Sequence, residues 1–550
     1  MPIANGMSSP GPNHSGPSHG PDQNPGHDPD KVFDLLVIGA GATGATIALE
    51  AVRRGLSVVL VEGSDIASGT SSRSTKLLHG GVRYLELAVK TFDLRQLQLV
   101  REALGERGHW LQAVPFLAQP LELLLPTRNP LATAYYGAGL AVYDLLAGRR
   151  RISASRCLSR QEVSRQMPEL APGHGGVAYA DARFDDARLN LLIARSAALA
   201  GAAVHTRSAV VELLRDGQGQ LNGAVIAAEP DGARQRLRAR VVVNATGIGA
   251  DALRRMAQAD LPPRLQVSRG MHVVLDDDLC PGGLGLLVPA TDDGRVLFML
   301  PFFGRTLVGT TDTACPLAEA ERPAANEEAY LLDYVQRWFP SDTPRQVSSR
   351  WAGGRPLLLP ETAAEAAAGT ARVVREHAVE RLSCGLISVM GGKWTTCRSM
   401  AIDALAVVAE QLGRPLGEPV AGAILGAASD PGRSAAELAA LATKLSNELG
   451  GPLAAHLIAS HGLEAPAVLA CAADASERTP LSDVIPLTAA EVRHMARHEW
   501  ARQPEDVLAR RCRLAFVDQA EADRLEGTVG DLLEQEAAAA YSLTSHQKNP

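Results

Sequence analysis

The feature that most constrains the fold is a glycine-rich turn, Gly39-Ala40-Gly41-Ala42-Thr43-Gly44, set between an apolar run and a helical pattern. The run Leu35-Leu36-Val37-Ile38 stops at Gly39, and the helical pattern continues through Arg54 to Gly55. A second run, Ser57-Val58-Val59-Leu60-Val61, ends in Glu62. Together these make one βαβ unit of about 30 residues built to hold a dinucleotide. Gly39 permits the tight turn, Gly41 lets a pyrophosphate approach the backbone, and Gly44 lets helix and strand pack closely. Ala42 and Thr43 open the helix, whose free N–H groups and dipole face the phosphates. Glu62 is placed to accept hydrogen bonds from a ribose diol.

The fingerprint fits FAD and NAD alike. Two observations favour FAD. The unit opens the folded part of the chain, and a later strand, Val241-Val242-Val243-Asn244, ends in Ala245-Thr246-Gly247. That segment resembles the second nucleotide motif of glutathione-reductase-like flavoproteins. The expected fold class is therefore α/β: a glutathione-reductase-like FAD-binding Rossmann domain, an antiparallel-sheet substrate (cap) region, and a mostly α-helical C-terminal domain. Residues 1–30, rich in Pro, Gly, Ser, Asn and His, have little to bury and are expected to be a disordered tail. The flavin core with its interleaved substrate region is expected over 31–407, with strands near 202–205, 223–228, 239–244, 272–275, 296–301 and 306–310. Residues 361–370 suggest a surface loop. From 408 to 545 Ala, Leu, Glu and Arg recur at helical spacing.

Composition sets limits on partners. The 550 residues carry 54 Lys+Arg against 61 Asp+Glu, a net charge of -7, which excludes a broadly basic nucleic-acid binder. No apolar run reaches the roughly 18 residues of a spanning helix. Seven cysteines (157, 280, 315, 384, 397, 471, 512) form no CxxC pair, which argues against a disulfide framework and a structural zinc site, so no metal is expected. Only six of the 54 basic residues are Lys. A Lys inside a motif therefore stands where Arg was the common choice.

Several segments carry a family likeness in one order along the chain. Ser74-Thr75-Lys76-Leu77-Leu78-His79-Gly80-Gly81-Val82-Arg83-Tyr84-Leu85-Glu86 is followed by Arg269-Gly270-Met271-His272-Val273-Val274 and Gly309-Thr310-Thr311-Asp312. Then come Gly353-Gly354-Arg355-Pro356-Leu357, Gly391-Gly392-Lys393-Trp394-Thr395-Thr396, and Arg497-His498-Glu499 with Asp506–Arg511. The set resembles the FAD-dependent glycerol-3-phosphate dehydrogenases over roughly residues 33–525. Met271, Trp394 and Cys397 depart from the family's usual residues, which bears on pocket shape more than on reaction type.

The resemblance implies oxidation of sn-glycerol 3-phosphate to dihydroxyacetone phosphate, with FAD as cofactor and a quinone as electron acceptor. It implies a phosphate clamp of Arg83, Arg355 and Arg375, since the guanidinium fork matches phosphate oxygens. His272 is the expected proton acceptor and Tyr84 a substrate hydrogen-bonding partner. Lys393 is expected near both flavin and substrate, with Gly392, Thr395 and Thr396 beside the flavin. Ser74, Thr75, Lys76, His79 and Gly80 are expected around the cofactor. The segment Leu131–Gly148, followed by Arg149-Arg150-Arg151, suits an interfacial segment, though a core helix with a solvated basic end fits the same pattern. A cytoplasmic location, peripheral on the cytoplasmic membrane face, is the corresponding expectation, and a homodimer stays open. The alternatives are an oxygen-using glycerol-3-phosphate oxidase, an amine or amino-acid oxidase of the same fold, a non-catalytic flavin binder, and a nicotinamide dehydrogenase.

Overall fold

The structure is a computed structural model that describes residues 31–82, 85, 94–289, 291–292, 294–359 and 377–547. The tail 1–30 and the loop at 361–370 lie outside the described residues. The glycine turn sits where the sequence places it, between β1 (Val32–Ile38) and α1 (Ala42–Arg53), with β2 (Val58–Val61) parallel to β1. Around them runs an ordered sheet: His377–Arg381, Leu386–Gly391, Ala233–Asn244, β1, β2, Ala203–His205. All neighbours in that series are parallel except the first pair. Both faces are covered, which is why these strands are continuous apolar runs and not alternating ones. Leu35 and Val37 pack with Ala45, Ile47 and Ala48 of α1, while Leu36 and Ile38 join a separate core against the strand Leu221–Ala228. Burial of a side chain such as Ile47 contributes about 1.5–3 kcal/mol.

The second sheet is mainly antiparallel, with one parallel pair between Gly285–Val288 and Ala118–Thr127. Its central strand, Leu265–Leu275, pairs with Val347–Leu358 in a register that sets His272 opposite Trp351 and Ser268 opposite Arg355. Arg305–Gly309 lies on the other side, so Gly309 is opposite His272.

The C-terminal part is helical, with Pro431–Leu449, Gly451–His461, Ala489–His498 and Gln519–Gln547 as its longer elements. Its expected start at 408 needs correction. Cys397–Leu412 is one continuous helix whose Met400, Ala401, Ala404, Leu405 and Val408 are buried in the core of the flavin domain. The helix ends only at Gly413, in the left-handed conformation at φ 66°. Helical texture near 400 therefore belongs to the first domain, and composition alone cannot separate the two.

The two parts are joined by buried ion pairs. Residues Asp506–Arg511 form a π-helical turn, in which Cys512 N–H donates to Val507 O at 2.9 Å. That wider turn sends both Arg510 and Arg511 to Asp65, with Arg511 Nη2 at 2.7 Å from Oδ1. Arg188 forks onto Glu499 at 2.6 and 3.0 Å, and Arg207 Nη2 reaches both oxygens of Asp506 at 2.8 and 2.9 Å. Removing one charge from such a cluster leaves its partners buried and unpaired. Asp65→Asn is expected to destabilise the protein by about 3–5 kcal/mol, seen as a lower denaturant midpoint and earlier proteolytic release of the C-terminal helices.

Candidate active site

A cavity of about 640 Å³ opens at the C-terminal ends of β1 and β2 and continues under the second sheet. Gly39, Gly41, Ala42, Thr43 and Glu62 line one part of it, with Ala245, Thr246 and Gly247 beside them. Ser74, Thr75, His79, His272, Arg355, Gly392, Lys393 and Thr395 line the remainder.

The nucleotide end is built by close backbone approach. Gly39 adopts φ 100°, and a Cβ there would meet Ala245 O at 2.7 Å. Gly44 does not line the cavity: a Cβ on it would run into Gly39 O, which is the helix–strand packing expected of it. Asn190 Nδ2 donates to Ala40 O at 2.8 Å and braces the turn. The Glu62 carboxylate is oriented by the N–H groups of Ala40 (2.8 Å) and Ser64 (2.9 Å). Burial pushes its pKa up, and those donors partly counter the rise. The Gly41 backbone, the N-terminus of α1 beyond the Ala42 N–H that Ser71 Oγ holds, and the fixed acceptor at Glu62 fit the pyrophosphate and ribose of FAD.

At the far end His272 is 2% exposed. Its Nε2 lies 3.0 Å from Thr75 Oγ1, and its Nδ1 has no hydrogen-bond partner among the described residues. The ring stacks on Trp351, with centroids 5.3 Å apart and planes 16° apart. On its other side stands Gly309, where a Cβ would collide with the imidazole. Burial, then the charges of Lys76 and Arg355, hold the His272 pKa well below the usual histidine value, so the ring is neutral. Arg355 lies over Gly270 and is aimed by Thr310 Oγ1 at 2.8 Å and Thr311 O at 2.9 Å, with Asp312 Oδ1 at 3.5 Å. Lys393 precedes the short turn Trp394–Thr396. Trp394 packs edge-on against Phe184 and Trp110, and its indole N–H donates to Ser71 O at 3.1 Å.

Besides Gly44, three expected cofactor residues lie elsewhere. Lys76 does not line the cavity; its Nζ is buried against Asp186 Oδ2 at 2.7 Å and Ser72 O at 2.6 Å. Its backbone lies in the left-handed region at φ 62°, between Thr75 and Leu77, which both line the cavity. Gly80 is packed beneath Leu104, and its N–H donates to Tyr143 Oη at 2.8 Å. Thr396 is not among the lining residues, and its hydroxyl donates to Lys393 O at 3.3 Å. Arg83, Tyr84 and Arg375 fall outside the described residues.

Sequence reasoning missed Ser71, whose hydroxyl accepts the Ala42 N–H at 2.9 Å and lines the cavity at the start of α1. Its signal was available in the run of small polar residues before Lys76. It also missed Asp186, which accepts from Ser74 N–H, Ser74 Oγ, Lys76 and Arg513. Next to Asp185, which caps the helix Asp186–Leu199, it reads in sequence as ordinary helix-start chemistry.

Comparison with known proteins agrees with this geometry. Residues 34–398 match the FAD dependent oxidoreductase family model, and residues 420–540 match the C-terminal domain of alpha-glycerophosphate oxidase. The chain is 40% identical to the mitochondrial glycerol-3-phosphate dehydrogenase of Arabidopsis thaliana, over 92% of this chain and 83% of that protein. It is 36% identical to the mitochondrial glycerol-3-phosphate dehydrogenase of Homo sapiens, over 92% and 70% respectively. Among solved structures, the glycerol-3-phosphate dehydrogenase of Bacillus halodurans complexed with FAD superposes with a TM-score of 0.73 at 27% identity, covering 94% of each chain. The chain belongs to the FAD-dependent oxidoreductases and, within them, to the glycerol-3-phosphate dehydrogenase family.

Proposed function

We propose that this chain oxidises sn-glycerol 3-phosphate at C2 to dihydroxyacetone phosphate and passes the electrons to a quinone. The observation that carries this reading is the convergence of His272, Arg355 and Lys393 on one cavity with the nucleotide cradle. FAD, when bound, supplies the hydride acceptor. The protein's own groups must then bind a phosphate dianion and take up the C2 hydroxyl proton. Arg355 has its guanidinium pre-aimed by Thr310 and Thr311, and with Lys393 it gives the cavity two cations for the phosphate. Neutral His272 has a proton-accepting nitrogen when its Nε2–H donates to Thr75, which leaves Nδ1 as the acceptor. The arriving dianion offsets the repulsion from Lys76 and Arg355 that depresses the imidazole, so substrate binding itself raises the basicity of His272.

The route onward is supported by the helix Pro130–Ala147. Leu131 (83% exposed), Tyr135, Val142 and Leu145 (79%) share one outward stripe, while Leu140, Tyr143 and Ala147 are buried on the opposite side. Arg149, Arg150 and Arg151 follow directly and are exposed. An apolar face edged by arginines suits the anionic cytoplasmic surface of a membrane, where a quinone is reached. No helix of the described residues is long and apolar enough to span a bilayer. The match of the C-terminal domain to an oxidase family favours oxygen as the second candidate acceptor.

Anaerobic addition of glycerol 3-phosphate is expected to bleach the flavin absorbance of the purified protein, and a quinone is expected to restore it faster than oxygen does. An unbleached flavin rules out the substrate; faster recovery in oxygen assigns an oxidase. His272→Gln is expected to slow bleaching by about 10²–10⁴-fold with flavin content unchanged. Burial and the neighbouring Arg513 pull the Lys76 pKa down from 10.5 to about 7. Lys76 is thus charged below that pH, and above it the neutral amine keeps N–H donors for Asp186 and Ser72 O but loses the ionic attraction to Asp186. The bleaching rate is expected to carry an ionisation near pH 7 that disappears in Lys76→Met, whose unbranched side chain has no titratable group. Leu131→Asp with Leu145→Asp is expected to abolish co-flotation with anionic vesicles and leave bleaching unchanged.

A further inference from the structure

The C-terminal helical domain holds a cluster that the flavin chemistry does not use. Cys471 follows the short helix Ala465–Leu469, and His494 and His498 lie one turn apart on Ala489–His498. One ligand atom from each lies within 4.8 Å of the others. Cys471 Sγ is 3.8 Å from His494 Nδ1, and the rings of His494 and His498 have centroids 4.8 Å apart. His494 is 3% exposed, yet its Nε2 has no hydrogen-bond partner among the described residues.

We propose that Cys471 Sγ, His494 Nδ1 and His498 bind one zinc ion, with a fourth position open to solvent beside His498. Zinc bond lengths of about 2.3 Å to sulfur and 2.0–2.1 Å to nitrogen set a tetrahedral sulfur–nitrogen pair roughly 3.6 Å apart. The 3.8 Å between Cys471 Sγ and His494 Nδ1 needs almost no movement to match. A ligating histidine normally donates its other ring N–H to a carboxylate, and His494 Nε2 lies 3.7 Å from Glu499 Oε1. Metal at Nδ1 thus fixes the tautomer that makes Nε2 an N–H donor, with the Glu499 carboxylate 3.7 Å away. His461, also nearby, is committed elsewhere: its Nδ1 faces Arg188 at 3.2 Å and its Nε2 faces Glu491 at 3.1 Å.

The neighbouring cations are held by acids. Arg195 pairs with Glu464 and Glu499, Arg188 with Glu499, and Arg497 with Glu536. His498 is only partly buried and provides the entry path. The absence of a CxxC pair hides the site in the sequence, because the fold assembles it from positions 471, 494 and 498. The ion pins the end of the helix Ala465–Leu469 to Ala489–His498 and lies outside the flavin cavity, so it does not depend on the proposed substrate.

The test uses the full-length flavin-loaded protein, dialysed against a chelator and then dosed with zinc or cobalt(II). One zinc per chain is expected to survive desalting. Cobalt is expected to give a sulfur-to-metal charge-transfer band that is lost in Cys471→Ser. His498→Gln, at the partly exposed edge, is expected to weaken zinc binding at least about 100-fold, the upper end for losing even an outer-shell partner, with flavin content and bleaching unchanged. Failure of the wild-type protein to retain zinc overturns the proposal. So does a cobalt spectrum without the sulfur band, or zinc affinity unchanged in His498→Gln. If Cys471→Ser does not purify, the wild-type cobalt spectrum and His498→Gln decide.

Discussion

The Asp186 carboxylate organises the site. Its Oδ2 accepts from Ser74 N–H at 3.0 Å, Ser74 Oγ at 2.7 Å and Lys76 Nζ at 2.7 Å, and its Oδ1 accepts from Arg513 at 3.2 Å and Ala187 N–H at 2.9 Å. It is fully buried. A lone carboxylate there would cost several kcal/mol to desolvate, so the loop bearing Ser74 and Lys76 must close on it from one side and the C-terminal domain from the other. Ser72 O repeats the arrangement, accepting from both Lys76 Nζ at 2.6 Å and Arg513 Nη2 at 2.7 Å. The loop that carries Thr75 to His272 is thereby fixed to two domains at once.

A second connection runs through aromatic rings. Phe516, from the C-terminal domain, stacks on Trp351 at 4.7 Å and 10°, and Trp351 stacks on His272 at 5.3 Å and 16°. Arg513 lies over the Phe516 ring at 4.4 Å and Lys76 at 5.4 Å, so the ionic and aromatic contacts brace each other. The imidazole plane is set by this stack on one side and by the missing Cβ of Gly309 on the other. His272 therefore owes its orientation to residues far along the chain, and the C-terminal helices are part of the active-site wall and not an appendage.

This explains what the sequence could and could not reveal. The glycine turn, Glu62 and the strand ending at Asn244 are local: each follows from a spacing or a strand end, and the structure places them where the spacing says. His272, Arg355 and Lys393 came through segment likeness, and they do share one cavity. Lys76 and Thr396 sit in the same segments but point elsewhere, and Gly80 packs under Leu104, because direction along an irregular loop is decided by what lies beneath it. Asp186 and Arg513, 327 residues apart, have no local signature at all. The limit placed at 407/408 failed for a related reason: the helix Cys397–Leu412 has the same composition as the domain that follows, and only its burial against α1 assigns it.

The surplus of Arg over Lys also takes on a physical meaning. Arg188–Glu499, Arg254–Glu380, Arg398–Glu106 and Arg493–Glu477 are forked pairs that use two guanidinium nitrogens on one carboxylate. A Lys offers one compact charge and cannot reproduce that geometry. These arginines are spent on structure, so an Arg in this chain is weak evidence for anion binding unless it lines the cavity, as Arg355 does. Lys76 is the reverse case. The space between Ser72 O, Asp186 and the Trp351 ring takes a single ammonium, and Arg513 already occupies the other oxygen of Asp186. Two cations sharing one buried carboxylate repel, and that repulsion adds to burial in drawing the Lys76 pKa down to about 7. The smallest basic group stands where crowding is greatest, and its charge becomes adjustable as a direct result.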